Sequence, residues 1–159
     1  MPAVQRPMPP QPPSWAGAAA SQDMDARRGA IVALMRCAVL DRDAVDHLRR
    51  DVFRDGAVSR DEADALFALE RSPAAKDEAW TAFFVEAITS HAVWDLRPTG
   101  VVNESQGEWL IQAADRAGTP AAFAVLLNVL EAAHRVPMWF SAAVKARAGR
   151  RMDAAAALA

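Results

Sequence analysis

The sequence predicts an all-α domain, and three observations carry that expectation. Apolar residues recur at threes and fours along most of the chain, N-capping residues stand ahead of the apolar stretches, and no stretch alternates with period two. The reading is a bundle of about six helices, made of two helix-loop-helix units plus a C-terminal helical hairpin, behind a disordered Pro-rich N-terminus.

Each element has a local reason. Residues 1–24 hold six of the ten prolines (Pro2, Pro7, Pro9, Pro10, Pro12, Pro13), followed by Gly17 and a triple alanine. They read as a tether unable to form a helix, with a PxxP spacing that fits polyproline docking. The domain spans 25–150. Ile31, Leu34, Met35, Ala38, Val45, Leu48 and Val52 predict helix A over about 25–50, interrupted only by the charged Asp41–Asp43 triplet. Ser59 with Glu62 is a capping box that opens helix B, which runs to Arg71. Ser72 and Pro73 restart the chain into helix C, about 74–93, with Trp80, Phe83, Phe84, Ala87, Ile88 and His91. Asn103 with Gln106 caps helix D, Thr119–Pro120 opens helix E, and Pro137 opens helix F. Residues 151–159 read as a frayed Ala-rich tail. That tail also resembles the small apolar ends read by bacterial degradation machinery, an idea that two terminal aspartates would test through lifetime in cells.

Composition narrows the function. A chain of 159 residues, 52% hydrophobic and 24% charged, is long enough to bury a core without disulfides. A lone Cys37 excludes an internal disulfide, and no Cys/His set has zinc spacing. Cys37 is read on the apolar face of helix A. Eighteen basic against twenty acidic side chains, a net charge of −2, argues against a nucleic-acid partner. The absence of a long apolar window argues against a membrane, and the expected location is cytoplasmic. Abundant Ala and Arg beside only two lysines, Lys76 and Lys145, suggest a GC-rich bacterial source.

Sliding the chain by 44 positions brings His47 onto His91, Asp51 onto Asp95, Gly56 onto Gly100, Val58 onto Val102 and Leu66 onto Leu110. The two capping boxes coincide at the same offset. Each unit therefore reads as a helix, a glycine-containing loop, a β-branched residue and a capped helix. In the first unit Asp51, Asp55, Gly56, Val58, Ser59 and Glu62 fall on positions 1, 5, 6, 8, 9 and 12 of a twelve-residue loop.

On these residues the chain resembles a degenerate paired EF-hand. The resemblance implies oxygen ligands for Ca²⁺ or Mg²⁺ from Asp51, Asp55, Ser59 and Glu62, with the Ala57 carbonyl at position 7. It departs at position 3, where Phe53 offers no side-chain oxygen. The second loop departs further: Arg97, Thr99, Asn103 and Gln106 stand at positions 3, 5, 9 and 12, beside Pro98, and this loop is expected to bind no calcium. Arg97 is expected to supply internally the charge a metal would bring. The same span is similar to the TerB-like helical domains of bacteria, which implies a stress or metal-response role through loop carboxylates. Neither resemblance covers residues 1–24 or helices E and F.

A metal-free account explains most of the first loop and is the preferred reading, leaving only Asp51 and Asp55 to the metal. Ser59 and Glu62 serve helix B as caps, Gly56 takes a positive φ, Val58 packs on Val102, and acidic residues ahead of a helix suit its dipole. Other constellations are weak. Glu131 and His134 form one Glu-x-x-His, whereas a di-iron bundle needs two with two further glutamates. Asp43 and His47 are spaced for a surface ion pair, and His91 reads as a core histidine. No nucleophile elbow, phosphate loop or dinucleotide fingerprint is present. The expectation is a non-catalytic regulatory or interaction module without a cofactor, binding a protein partner such as an amphipathic helix. The alternative is a sensor holding one Ca²⁺ or Mg²⁺ at the first loop. Trp80, Phe83, Phe84, Trp109, Phe123 and Phe140 are expected in the core, with Trp94 and Trp139 as candidates to line an open groove.

Overall fold

A computed structural model describes residues 14–158, with side chains from Asp23 onward. Seven α-helices and one two-stranded parallel sheet make up the described residues: α1 Ser14–Leu34, β1 Val39–Leu40, α2 Arg42–His47, α3 Arg60–Arg71, β2 Ala75–Lys76, α4 Glu78–Ser90, α5 Glu104–Ala117, α6 Pro120–Ala132 and α7 Met138–Ala157. The all-α class holds. Residues 1–13 of the expected tether, with its PxxP spacing, lie outside the described residues.

Several boundaries differ from the sequence expectation, each for a physical reason. Helix α1 begins at Ser14, inside the segment read as tether. No proline follows Pro13 until Pro73, and four of the five residues Ala16–Ala20 are alanine, the best helix former. Helix A is not continuous over 25–50. Asp41, read as an interruption, is an N-cap whose carboxylate accepts from the Ala44 amide at 3.2 Å and starts α2. A π-turn, Leu48–Val52, then ends the segment. Ser72 and Pro73 do not open helix C. Ser72 closes α3, its hydroxyl donating to the Leu69 carbonyl at 2.7 Å, and Asp77 caps α4 by accepting from the Trp80 amide at 2.9 Å. The C-terminal tail is helical through Ala157, although its side chains from 149 to 158 are exposed. Alanine holds a helix there without packing.

The duplication survives in three dimensions. Each unit begins with a short strand, continues through an Asp-capped helix into a π-turn (Leu48–Val52 and His91–Asp95), and passes a positive-φ glycine into a helix with a complete capping box. The strands pair in parallel at Val39↔Ala75 and Leu40↔Lys76, so the units are stitched where each begins. The second loop is stitched differently: Val101 bridges Arg135, and the His134 amide donates to the Gly100 carbonyl at 2.8 Å.

A single core fills the bundle. Trp80, Phe84, Leu66, Leu110, Leu126 and Phe140 are fully buried, with Phe67 set edge-on to both Phe84 and Trp109. Glu70 is buried among them, satisfied by the Trp80 indole N–H at 2.7 Å. The aromatic expectations hold for Trp80, Phe83, Phe84, Trp109 and Phe140, while Phe123 is half-buried. Cys37 is exposed in the turn after α1, not on an apolar helix face, because α1 ends at Leu34.

Candidate functional site

The first loop meets α1 and the end of α4 in a crevice of about 460 Å³, lined by Met24, Arg27, Asp55, Glu62, His91 and Asp95 among others. The four residues assigned to a metal from the sequence do not face a common point. Asp51, in the π-turn, pairs with His47 at 2.7 Å and lies near Arg50 and Arg54 at 3.7 and 4.0 Å. The His47 partner is thus Asp51, one turn on, and not Asp43. Asp55 accepts from the Ala57 amide at 3.2 Å. Ser59 and Glu62 form the expected capping box, Ser59 Oγ accepting from the Glu62 amide at 3.2 Å and Glu62 Oε2 from the Ser59 amide at 2.8 Å.

Asp55 and Glu62 do converge, but on a guanidinium. Arg27 of α1 lies 3.8 Å from Asp55 Oδ2 and 3.7 Å from Glu62 Oε1, with Asp23 on its other side at 3.2 Å. Among the described residues, no three His, Cys, Asp or Glu side chains are grouped so as to hold a metal ion. The internal cation expected from Arg97 therefore comes from α1, and in the first loop. Among the described residues no carboxylate lies within 4.0 Å of Arg97.

The second loop turns its first carboxylate toward the first loop. Asp95 accepts from the Val58 amide and from the Ser90 hydroxyl, both at 3.4 Å. The Val58 carbonyl faces His91 Nδ1 at 2.6 Å, so that nitrogen carries the proton. Val58 is thereby held by α4 and its π-turn, while the Val102 amide donates elsewhere, to the Arg135 carbonyl. His91 is 3% exposed and its Nε2 has no partner. Burial pushes its imidazole below the ordinary value, against the Val58 hydrogen bond and the field of Asp95, which favour the charged form. Its ring meets the edge of Trp109 at 5.7 Å; that indole donates to Asp64 at 2.7 Å and carries the Arg60 guanidinium 3.9 Å above its face.

Chemically, this is a neutral, half-satisfied imidazole beside carboxylates already engaged by backbone amides, a hydroxyl and a guanidinium. No hydrogen bond joins His91 Nε2 to a nucleophile. Glu131 and His134 remain exposed, and His134 lies against the Trp94 ring at 5.8 Å and over Gly100. Trp94 is 45% exposed and lines an open groove with Val85, Thr89 and Asn128. Trp139 instead packs on Gly107 and donates to Glu104.

Sequence reasoning missed Arg27, whose partners lie 28 and 35 positions away, a separation that carries no periodic signal. It placed His91 in the core but not against the first loop. No protein-family model matches this chain, and no curated protein or solved structure matches it either.

Proposed function

We propose that the chain is a non-catalytic regulatory or protein-interaction module, carried in the cytoplasm, whose two EF-hand-like loops are structural joints. The observation that carries this reading is that the four first-loop side chains carrying oxygen, Asp51, Asp55, Ser59 and Glu62, each have a partner within the protein. Asp51 serves His47, Asp55 and Glu62 serve Arg27, and Ser59 serves the α3 N-terminus. A hard dication demands several unengaged oxygens on one centre, and Phe53 supplies none. The half-exposed Trp94, in an open groove with Val85, favours a partner that buries apolar surface, such as an amphipathic helix.

Calorimetric titration of metal-stripped protein with Ca²⁺ and then Mg²⁺, with tryptophan fluorescence followed alongside, tests the reading. The expected outcome is no saturable heat and no spectral change into the millimolar range. Binding of one ion that disappears in Asp55→Ala would instead establish the sensor reading. The interaction half is tested by Trp94→Asp, which is expected to keep the helical circular dichroism and lose a partner that the native chain retains.

A further inference from the structure

Helix α1 is attached to the bundle largely through charge. Of its twelve side chains from Asp23 to Leu34, only Ile31 and Leu34 are buried. Arg27, Ile31 and Leu34 stand at i, i+4 and i+7 and so share one face. The two apolar residues anchor its C-terminal end, and charge holds the rest: Arg27 sits between Asp55 and Glu62, and Arg28 pairs with Asp61 at 2.7 Å. Arg27 is buried for an arginine, its side chain 21% exposed, whereas Met24 and Val32 of the same helix are more than half exposed. Behind the anchor, Met35–Ala38 form an exposed turn.

The surface beneath α1 is acidic and incompletely filled. Asp55, Asp61, Glu62 and Asp95 line the crevice of about 460 Å³, and His91 lies at its edge with Nε2 unpartnered. Arg60, the cation on the loop side, is held on the Trp109 ring and by Asp64 at 3.9 Å. A basic helix with apolar residues one and two turns after its arginine therefore fits this surface, and α1 is such a helix. We propose that α1 is an autoinhibitory strap, occupying in cis, through Arg27 and Arg28, a docking surface that takes an arginine-bearing amphipathic helix of a partner in trans. The proposal rests on the interaction-module reading. Partner loss in Trp94→Asp decides that reading, whereas salt-dependent hydrogen exchange of α1 and peptide binding decide the strap.

Ion pairs weaken as salt shortens the Debye length, from about 10 Å at 0.1 M to about 3 Å at 1 M, while apolar packing does not. Hydrogen exchange by mass spectrometry on the full chain, at 20 mM and about 500 mM NaCl, reads the strap directly. Protection of residues 23–34 is expected to fall about tenfold at high salt, with α4 and α6 unchanged. Arg27→Gln/Arg28→Gln is expected to show that loss at both salts. A fluorescein-labelled peptide of residues 23–36 is expected to bind this variant chain at least tenfold more tightly than the native chain. The same peptide carrying Arg27→Glu and Arg28→Glu should not bind. If α1 keeps its protection, or loses it together with α4 and α6, it is an ordinary core helix and the strap is refuted. Selective loosening of α1 without peptide binding refutes the docking surface. The native chain's salt response decides the strap even if the double variant fails to fold.

Discussion

Gly56 and Gly100 occupy the same position of the repeat and the same backbone conformation, φ +72° and +78°, yet replacing them with alanine should cost different amounts. An L-residue in the left-handed region costs about 1–2 kcal/mol, and both variants incur that cost. At Gly56 an added Cβ meets nothing within 4 Å. At Gly100 it would stand 2.5 Å from His134 Cδ2, so the imidazole must move. Moving it forfeits the edge-on contact with Trp94, an interaction worth about 0.5–1.5 kcal/mol, and strains the His134 amide bond to the Gly100 carbonyl. Gly100→Ala should therefore be destabilised by about 2–3 kcal/mol and Gly56→Ala by about 1–2 kcal/mol. Urea unfolding measures both. With m of about 2 kcal/mol/M, the midpoints should be separated by about 0.5 M at unchanged m. Placing Gly100→Ala in a His134→Ala background should bring its cost down to the Gly56 value, a coupling read from the double-mutant cycle. Equal costs at the two glycines, or no relief from His134→Ala, would refute the steric reasoning.

Three further predictions follow from single side chains. Burial lowers the His91 pKa, so on acidification the unfolded chain takes up that proton first; stability is full above about 6.5 and falls as pH drops below it. His91→Asn should flatten the pH 5–7 stability profile, and an unchanged slope would show that another group sets it. Glu70→Ala strands the Trp80 indole N–H in the core and should cost about 1–3 kcal/mol in urea unfolding, with Glu70→Gln recovering most of it. The Arg147 fork beside Asp115, at 2.8 and 2.6 Å, holds that carboxyl below the usual range. In Arg147→Ala, NMR titration should find the Asp115 pKa raised, while stability changes by no more than about 1 kcal/mol because the Asp115 carboxylate is half exposed to water.

How much of this was legible in the sequence depends on how local each cause is. The capping boxes of α3 and α5 and the Thr119–Pro120 start of α6 are decided within four residues, and all three stand where the sequence placed them. The duplication was legible because glycine and caps recur at one offset. The Asp41 cap was misread, since an aspartate inside a periodic apolar pattern carries the same letters whether it interrupts a helix or begins one. The two-residue strands were invisible, because their pairing joins segments about 36 residues apart and buries too little to impose a period.

The sequence alone determined the helical class, the repeat and most caps, because these follow from side chains interacting with their own turn. Tertiary structure decided which equivalent positions became different. Gly56 faces open space while Gly100 lies under His134, and His47 pairs at the surface while His91 is sealed in the core. It also decided that Arg27, far along the chain, stands between Asp55 and Glu62. The physical reason is that charge and packing act through space, and only the folded chain sets which residues are close enough to feel them.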